Sequence, residues 1–374
     1  MNQAVARLQD RNLKRNFNRD IKRDFNQNPF IVIWEVTRAC QLHCLHCRAE
    51  AQRHRDEREL TTEEGFALID AVAEMDHPLL VFTGGDPLER PDLYDFIRYG
   101  RSKGLQVSIT PSATPKVTAQ AIADAKAAGL ERWAFSLDGW CAEIHDKFRG
   151  TKGSYDRTIT ALGILRDEGI PIQINTTVTR YNLDDLERIA QVVESYGAVL
   201  WSVFFLVPTG RARAKDMVTA DEHEAVMNWL YERSKRSSFD VKTTAAPHYR
   251  RVVLQHLHDA VEPALLQSDP LRSTRGVNDG NGFVFISHIG DVYPSGFLPV
   301  KAGNVRETSL SQLYRESPVF KSLRDVNQLK GKCRVCEFRQ VCGGSRARAY
   351  ALTGDYLESD PSCAYVPRAL AALN

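Results

Sequence analysis

Three cysteines, Cys40, Cys44 and Cys47, stand in the run Thr37-Arg-Ala-Cys-Gln-Leu-His-Cys-Leu-His-Cys-Arg48, spaced C-x3-C-x2-C. Three thiolates on one short loop can hold three corners of a cubane [4Fe–4S] cluster, leaving its fourth iron open to a small ligand. A cluster that only carries electrons normally takes four cysteines, so the missing thiolate points to chemistry at an open iron. Zinc is the competing reading. His43 and His46 could complete a tetrahedron, although structural zinc sites usually draw on two short ligand pairs and no second pair lies near this loop in sequence.

A second group reads Cys333-Arg-Val-Cys336, then Cys342, then Cys363 in Asp360-Pro-Ser-Cys363. Four thiolates fit a closed site, and the spacing suits a [4Fe–4S] cluster or a four-cysteine zinc site equally. Cys141 is left over and reads as a small buried hydrophobe.

Such residues act only if the chain gathers them. From residue 30 to about 245, short β-branched or aromatic runs alternate with amphipathic helical patterns. Strands are expected at 30–36, 79–83, 105–110, 132–137, 171–178, 199–205 and 239–244. Helices are expected at 91–103, 118–128, 154–168 and 183–196. Thr61 to Glu64 reads as a capping box ahead of Phe66, Leu68, Ile69, Val72 and Met75. Gly104, Gly129, Gly169 and Gly197 fall where helices should stop. Alternating β and α units imply a parallel sheet with right-handed crossovers, here a partial (β/α)6 barrel whose site lies at the C-terminal strand ends. The expected organisation is a basic lead-in over 1–27, the barrel over 28–245, a helical linker over 246–280 and a small cysteine-bearing domain over 281–374.

Several polar motifs fall at those strand ends. Gly84-Gly85-Asp86-Pro87 follows the second strand, where glycines allow close backbone approach and Asp86 presents an acceptor at the mouth. Ser136-Leu-Asp138-Gly139 follows the fourth, although an Asp-Gly turn opening a helix reads equally well. Arg149 lies just beyond, and Asn175 and Thr177 lie on the fifth strand. Arg211 and Arg213 follow the sixth, and His248, Tyr249, Arg250 and Arg251 the seventh. Guanidiniums at neighbouring strand ends suit a substrate bearing several carboxylates, with a solvated loop charge as the plain alternative for each.

The 374 residues are 43% apolar and 26% charged, ordinary for a globular chain. A net charge of +2 gives no reason to invoke nucleic acid. No apolar run is long enough to span a bilayer and no signal-peptide core is present, so a cytoplasmic protein without membrane partners is expected. Eight cysteines in such a chain point to metal or redox chemistry.

The cysteine triplet after a first strand resembles the signature of the radical S-adenosylmethionine (SAM) enzymes. The resemblance implies that the open iron chelates the amino and carboxylate groups of SAM, and that the reduced cluster yields a 5′-deoxyadenosyl radical. Gly84-Gly85-Asp86 is similar to that family's GGE motif, which holds the SAM amino group, with Asp here in place of Glu. By the same resemblance Ser136 and Asp138 become SAM ligands and His46 takes the aromatic position beside adenine. Arg149 could pair with the SAM carboxylate or be a surface arginine, and Asn175 could reach the cofactor or satisfy a core hydrogen bond. The second cysteine group resembles the SPASM/twitch extension, which carries auxiliary [4Fe–4S] clusters. Ser295 and Arg346 stand where the fuller seven-cysteine pattern has cysteine. One auxiliary cluster is therefore expected, on Cys333, Cys336, Cys342 and Cys363. The phrases Phe285-Ile-Ser-His288, Gly303-Asn-Val-Arg-Glu307 and Cys342-Gly-Gly-Ser-Arg-Ala-Arg-Ala349 look most like the haem-maturation branch. That implies modification or oxidative decarboxylation of a tetrapyrrole side chain, with Arg211, His248 and Arg250 on the substrate side and flavodoxin or ferredoxin as electron donor. A ribosomal-peptide maturase is the second enzyme reading, and a non-catalytic zinc or iron–sulfur protein the third.

Overall fold

The computed structural model describes residues 23–260 and 276–371. The basic lead-in falls, up to residue 22, outside the described residues, as does 261–275 of the expected linker.

Seven strands pair in sequence order and all run parallel: β1 (Ile31–Thr37), β2 (Leu79–Gly84), β3 (Val107–Ile109), β4 (Arg132–Ser136), β5 (Ile172–Val178), β6 (Leu200–Phe205) and β7 (Asp240–Thr244). Parallel neighbours cannot be joined by a tight turn, so helices cross over between them. These are α1 (Thr62–Ala73), α2 (Leu93–Ser102), α3 (Ala119–Ala127), α4 (Ala142–Arg149), α5 (Ser154–Asp167), α6 (Leu186–Ser195) and α7 (Ala220–Ser234). The capping box forms as expected, with Thr61 accepting from Glu64 N–H at 3.2 Å and Glu64 from Thr61 N–H at 2.8 Å.

Period-two burial shows which strand face meets the helices. On β5, Ile172, Ile174, Thr176 and Val178 are buried, while Gln173, Asn175 and Thr177 face the half-open interior. Trp34, Trp133 and Trp201 lie fully buried in the outer core beneath the helices. Removing a Leu, Ile or Val side chain from water contributes roughly 1.5–3 kcal/mol, so this layer sets the register of every strand.

After β7 the chain turns into α8 (His248–Ala260), and then forms β8 (Phe283–Ile286), β9 (Asp291–Tyr293) and β10 (Gly303–Asn304). β8 pairs parallel with β1, from Ile31 with Phe283 to Trp34 with Ile286. The sheet thus has ten strands in the order β10-β9-β8-β1-β2-β3-β4-β5-β6-β7. It is an open barrel, and the C-terminal segment begins inside its sheet. The remaining helices used below are α9 (Leu310–Glu316), α10 (Pro318–Arg324), α11 (Gly331–Val335) and α12 (Arg346–Thr353).

Candidate active site

The cysteine loop leaves β1 and is clamped through its backbone by three neighbouring segments. At the end of β2, Gly85 N–H donates to Thr37 O at 2.8 Å and Asp86 N–H to Ala39 O at 2.7 Å. Leu45 N–H donates to Phe148 O on α4, and Arg211 N–H to Cys47 O, both at 3.1 Å. This approach requires glycine at four positions: a Cβ on Gly84 would lie 2.6 Å from Thr37 O, and one on Gly150 would lie 2.3 Å from His43 O. A Cβ on Gly85 would lie 2.4 Å from Ala39 O, and one on Gly210 would lie 2.5 Å from Cys47 O. The Gly84-Gly85 turn therefore presses on the loop's own backbone. Asp86 does not stand at the mouth as expected. It is fully buried and accepts from Thr114 Oγ1 at 2.7 Å, Leu88 N–H at 3.1 Å and Ser112 N–H at 3.4 Å. Burial pushes its carboxyl up to about 7. The reason is local: a short acidic side chain after two glycines caps the following 3₁₀ turn.

Cys40 and Cys44 are buried and Cys47 is half-buried. Leu42 N–H points at Cys40 Sγ and Ala51 N–H at Cys47 Sγ, each at 3.4 Å. Ser112 Oγ lies 3.5 Å from Cys40 Sγ, and Arg149 Nη1 lies 3.8 Å from Cys44 Sγ. Burial pushes the Cys40 thiol up to about 12 and raises that of Cys44. Iron ligation reverses this by taking the thiolate, and N–H donors already aimed at sulfur suit that charge.

Around this loop lie the expected SAM ligands. Asp138 and Arg149 are brought together, but with each other: the two form a buried ion pair, and Asp138 Oδ1 also accepts Thr177 N–H at 2.7 Å. Asp138 is thus occupied within the fold and not free for a ribose. The His46 ring stacks on Phe148, with centroids 4.1 Å apart, and burial followed by the Arg149 charge holds its pKa well below the usual imidazole value. Ser136 ends β4, and Asn175 Oδ1 accepts from Gln173 Nε2 at 2.8 Å on the half-open face of β5. Among the described residues, His46 Nδ1, Arg149 Nε and Arg211 Nε and Nη2 are buried without a hydrogen-bond partner. Unpartnered buried donors are costly unless a ligand meets them. The unpartnered Arg149 nitrogen at a three-thiol loop fits the carboxylate of an amino-acid-bearing ligand such as SAM, and the two on Arg211 are left for a second anion.

The second cysteine group converges as its spacing suggested. Cys333, Cys336, Cys342 and Cys363 line one cavity, joined there by Arg251 and Lys332. Burial pushes the Cys336 thiol up to about 11 and raises Cys342 and Cys363. His248 also lines this cavity, which corrects its expected place on the substrate side. It is 1% exposed, with Nε2 3.3 Å from the Asp360 carboxylate, and burial pushes its pKa down to about 4. Arg250 sits against Gly276, where a Cβ would come within 2.0 Å of its guanidinium carbon. Both shifts have one cause. The sequence places these residues at the end of the seventh strand, but α8 begins at His248, already within the expected helical linker, and turns the His248 side chain to the second cysteine group and Arg250 to Gly276.

A buried charged network escaped sequence reading. Glu35 on β1 holds Arg48 at 2.7 Å and His288 Nδ1 at 3.1 Å. It ties β1, the residue after Cys47, and the β8–β9 turn into one unit. Its signal was present, since Glu35 is the charged residue in Ile31-Val-Ile-Trp-Glu-Val-Thr37. Ser112, in the loop after β3, gave no motif at all.

An open parallel barrel with a three-cysteine loop after β1, unpartnered cationic donors beside it and a four-cysteine cavity beyond defines an iron–sulfur enzyme that works on a bound SAM. The chain belongs to the radical SAM superfamily, whose model matches residues 34–193, and an iron–sulfur cluster-binding SPASM domain matches residues 278–337. It binds SAM at a [4Fe–4S] cluster and carries auxiliary iron–sulfur chemistry in its C-terminal domain. It is 42% identical to the AdoMet-dependent heme synthase of Methanosarcina barkeri over 91% of this chain and 97% of that one. It is 43% identical to the protein of that name from Nitratidesulfovibrio vulgaris, over 90% and 93%. The mycofactocin maturase MftC of Mycolicibacterium smegmatis is 30% identical over 90% of this chain and 82% of that one. In fold the chain is similar to SuiB of Streptococcus suis bound to S-adenosylmethionine, with a TM-score of 0.71, 16% identity and coverage of 91% of this chain and 78% of that one.

Proposed function

We propose that this protein oxidatively decarboxylates propionate side chains of an iron tetrapyrrole to vinyl groups, with iron coproporphyrin III as substrate. The end-to-end likeness to proteins named AdoMet-dependent heme synthase carries the reading. When bound and reduced, the cluster and SAM supply a 5′-deoxyadenosyl radical that takes hydrogen from the propionate β-carbon. The chain's own residues do the rest. Arg211, whose guanidinium has two buried nitrogens without partners, takes a substrate carboxylate. Phe204, half-buried on β6 and edge-to-face with Phe297 at 6.2 Å, offers an apolar face to a flat macrocycle. His46, Gly84, Gly85, Ser136, Arg149 and Asn175 surround SAM, with Asp138 holding Arg149 and Asp86 holding the β2 turn. Cys40, Cys44 and Cys47 bind the first cluster, and Cys333, Cys336, Cys342 and Cys363 one auxiliary cluster. A cytoplasmic flavodoxin or ferredoxin supplies the electron.

The likeness to MftC supports a second reading, modification of a ribosomal peptide. Anaerobic turnover of the reconstituted protein with SAM, dithionite and iron coproporphyrin III, followed by mass spectrometry, separates the two. Loss of CO2 and hydrogen from the porphyrin, matched by 5′-deoxyadenosine, is expected. 5′-Deoxyadenosine beside an unchanged porphyrin would reject the tetrapyrrole and favour a peptide.

A further inference from the structure

Ser295 and Arg346, the two residues standing where cysteines would complete a fuller pattern, meet at one carboxylate. Asp279 accepts the Ala347 N–H at 3.0 Å and the Ser295 hydroxyl, and feels the charge of Arg346. Ser295 is 5% exposed and Arg346 1%. The Arg346 guanidinium is spread over four acceptors. Nε donates to Gly344 O at 3.2 Å, and Nη1 to Tyr356 O at 3.0 Å and Glu358 O at 2.7 Å. Nη2 points at Cys333 Sγ at 3.8 Å. Among the described residues, none of its hydrogen bonds goes to a carboxylate. A buried cation held this way is expensive unless anions stand near it, and here Asp279 and the four-thiolate site supply them.

We propose that Arg346 is a redox-tuning residue, which raises the potential of the auxiliary cluster so that it serves as the electron sink of the reaction. A cluster on four thiolates is anionic in both redox states and more so when reduced. A fixed guanidinium donating to a ligand sulfur therefore stabilises the reduced state more. Arg251 and Lys332, which line the cavity, also act on its thiols. Arg251 is neutralised by Glu224 at 2.5 Å, and Lys332 is half-exposed and bonded to Cys363 O. The need for a sink rests on the decarboxylation reading. There the β-carbon gives a hydrogen atom to the adenosyl radical, the carbon–carbon bond to the carboxylate breaks, and CO2 and a vinyl group form. One electron is left over, and an oxidised cluster on Cys333, Cys336, Cys342 and Cys363 would be the group to accept it.

The test is a redox titration of the reconstituted full chain followed by electron paramagnetic resonance, comparing the parent with Arg346→Gln and Arg346→Lys. At the parent's auxiliary midpoint, Arg346→Gln is expected to lower the reduced-to-oxidised ratio about tenfold, which is about 59 mV for a one-electron couple. The first cluster should be unmoved, and Arg346→Lys should fall between. Full iron content with an unchanged auxiliary midpoint in Arg346→Gln would overturn the proposal. If that variant loses its auxiliary cluster, Arg346→Lys decides. It keeps the charge, so a midpoint at or slightly below the parent's agrees with the proposal, and one lowered by the full tenfold, or raised, overturns it. A shifted midpoint in a protein that leaves porphyrins untouched would keep the Arg346 assignment and reject the decarboxylation.

Discussion

Asp138→Asn tests whether the Asp138–Arg149 pair is a unit that readies the site. Asp138 is fully buried and the Arg149 side chain is 11% exposed, so neither charge has much access to water. Asparagine keeps the shape and an oxygen for Thr177 N–H, but strands a buried guanidinium beside Cys44. Removing one partner of a buried pair costs about 3–5 kcal/mol, a large part of a typical domain's 5–15 kcal/mol. Burial lifts the Asp138 carboxyl even with Arg149 alongside, so the pair is poorly explained as a stabilising device. Replacing both partners should therefore recover much of the loss, and Asp138→Asn/Arg149→Met is expected to be about 2–3 kcal/mol more stable than the sum of the singles. Urea unfolding at neutral pH, followed by circular dichroism under anaerobic reducing conditions, supplies the cycle. Titrating SAM into the reconstituted variants supplies the functional half: the double variant should fold well and bind SAM poorly. Additive effects on stability, or a double variant that binds SAM as the parent does, would refute the reasoning.

Other expectations are more direct. Gly85→Ala drives a Cβ into Ala39 O, so iron content should fall from about eight to about four per chain with the auxiliary signal kept; full iron content would contradict the clamp. Arg211→Met should raise the KM for the porphyrin at least tenfold with SAM cleavage kept, whereas weakened SAM binding would reassign Arg211 to the SAM carboxylate. Cys40→Ala should abolish 5′-deoxyadenosine formation, and Cys333→Ala should keep it while losing vinyl product; a Cys333→Ala variant that turns over as fast as the parent would remove the electron sink. Glu64 hydrogen-bonds Arg306, which pulls its pKa down to about 2. That stabilisation is present above the unfolded value of 4.5 and is lost as pH falls toward 2. The pair is over a third exposed, so Glu64→Gln should cost only about 0.2–1 kcal/mol at pH 7, fading with acid and salt.

What the sequence made legible follows its periodic and covalently specific signals. The outer face of β5 reads directly from Ile172, Ile174 and Val178, because burial under helices imposes period two. The spacing of Cys333, Cys336, Cys342 and Cys363 suggested one site, and the fold places all four around one cavity. Asp86 and Asp138 were harder, because a carboxylate at a strand end looks the same whether it faces a ligand, caps a turn or neutralises an arginine. Only the hydrogen bonds from Thr114 and Thr177 decide. His248 was misplaced for a geometric reason: it opens α8 just after β7 ends at Thr244, and the helix turns its side chain from the strand-end mouth to the Asp360 carboxylate beside the second cysteine group.

The two sites are not on separately movable parts, and this shapes what the enzyme can do with an electron. β8 hydrogen-bonds to β1, the strand that delivers the Cys40 loop, while His288 in the turn after β8 bonds Glu35, which bonds Arg48 next to Cys47. From the same hairpin, Ser295 reaches Asp279 and through it the Arg346 segment beside Cys333. One hydrogen-bonded path therefore runs from the first cysteine loop to the second, through a sheet edge and buried polar groups and not through a linker. The separation between the clusters is then fixed by strand register, which cannot slip by one residue without exposing the core face of β1. On the decarboxylation proposed above, a substrate radical formed in the barrel would meet the auxiliary site at a distance set by the fold. For a reaction that must shed one electron before the radical is quenched, a rigid acceptor is worth more than a mobile one.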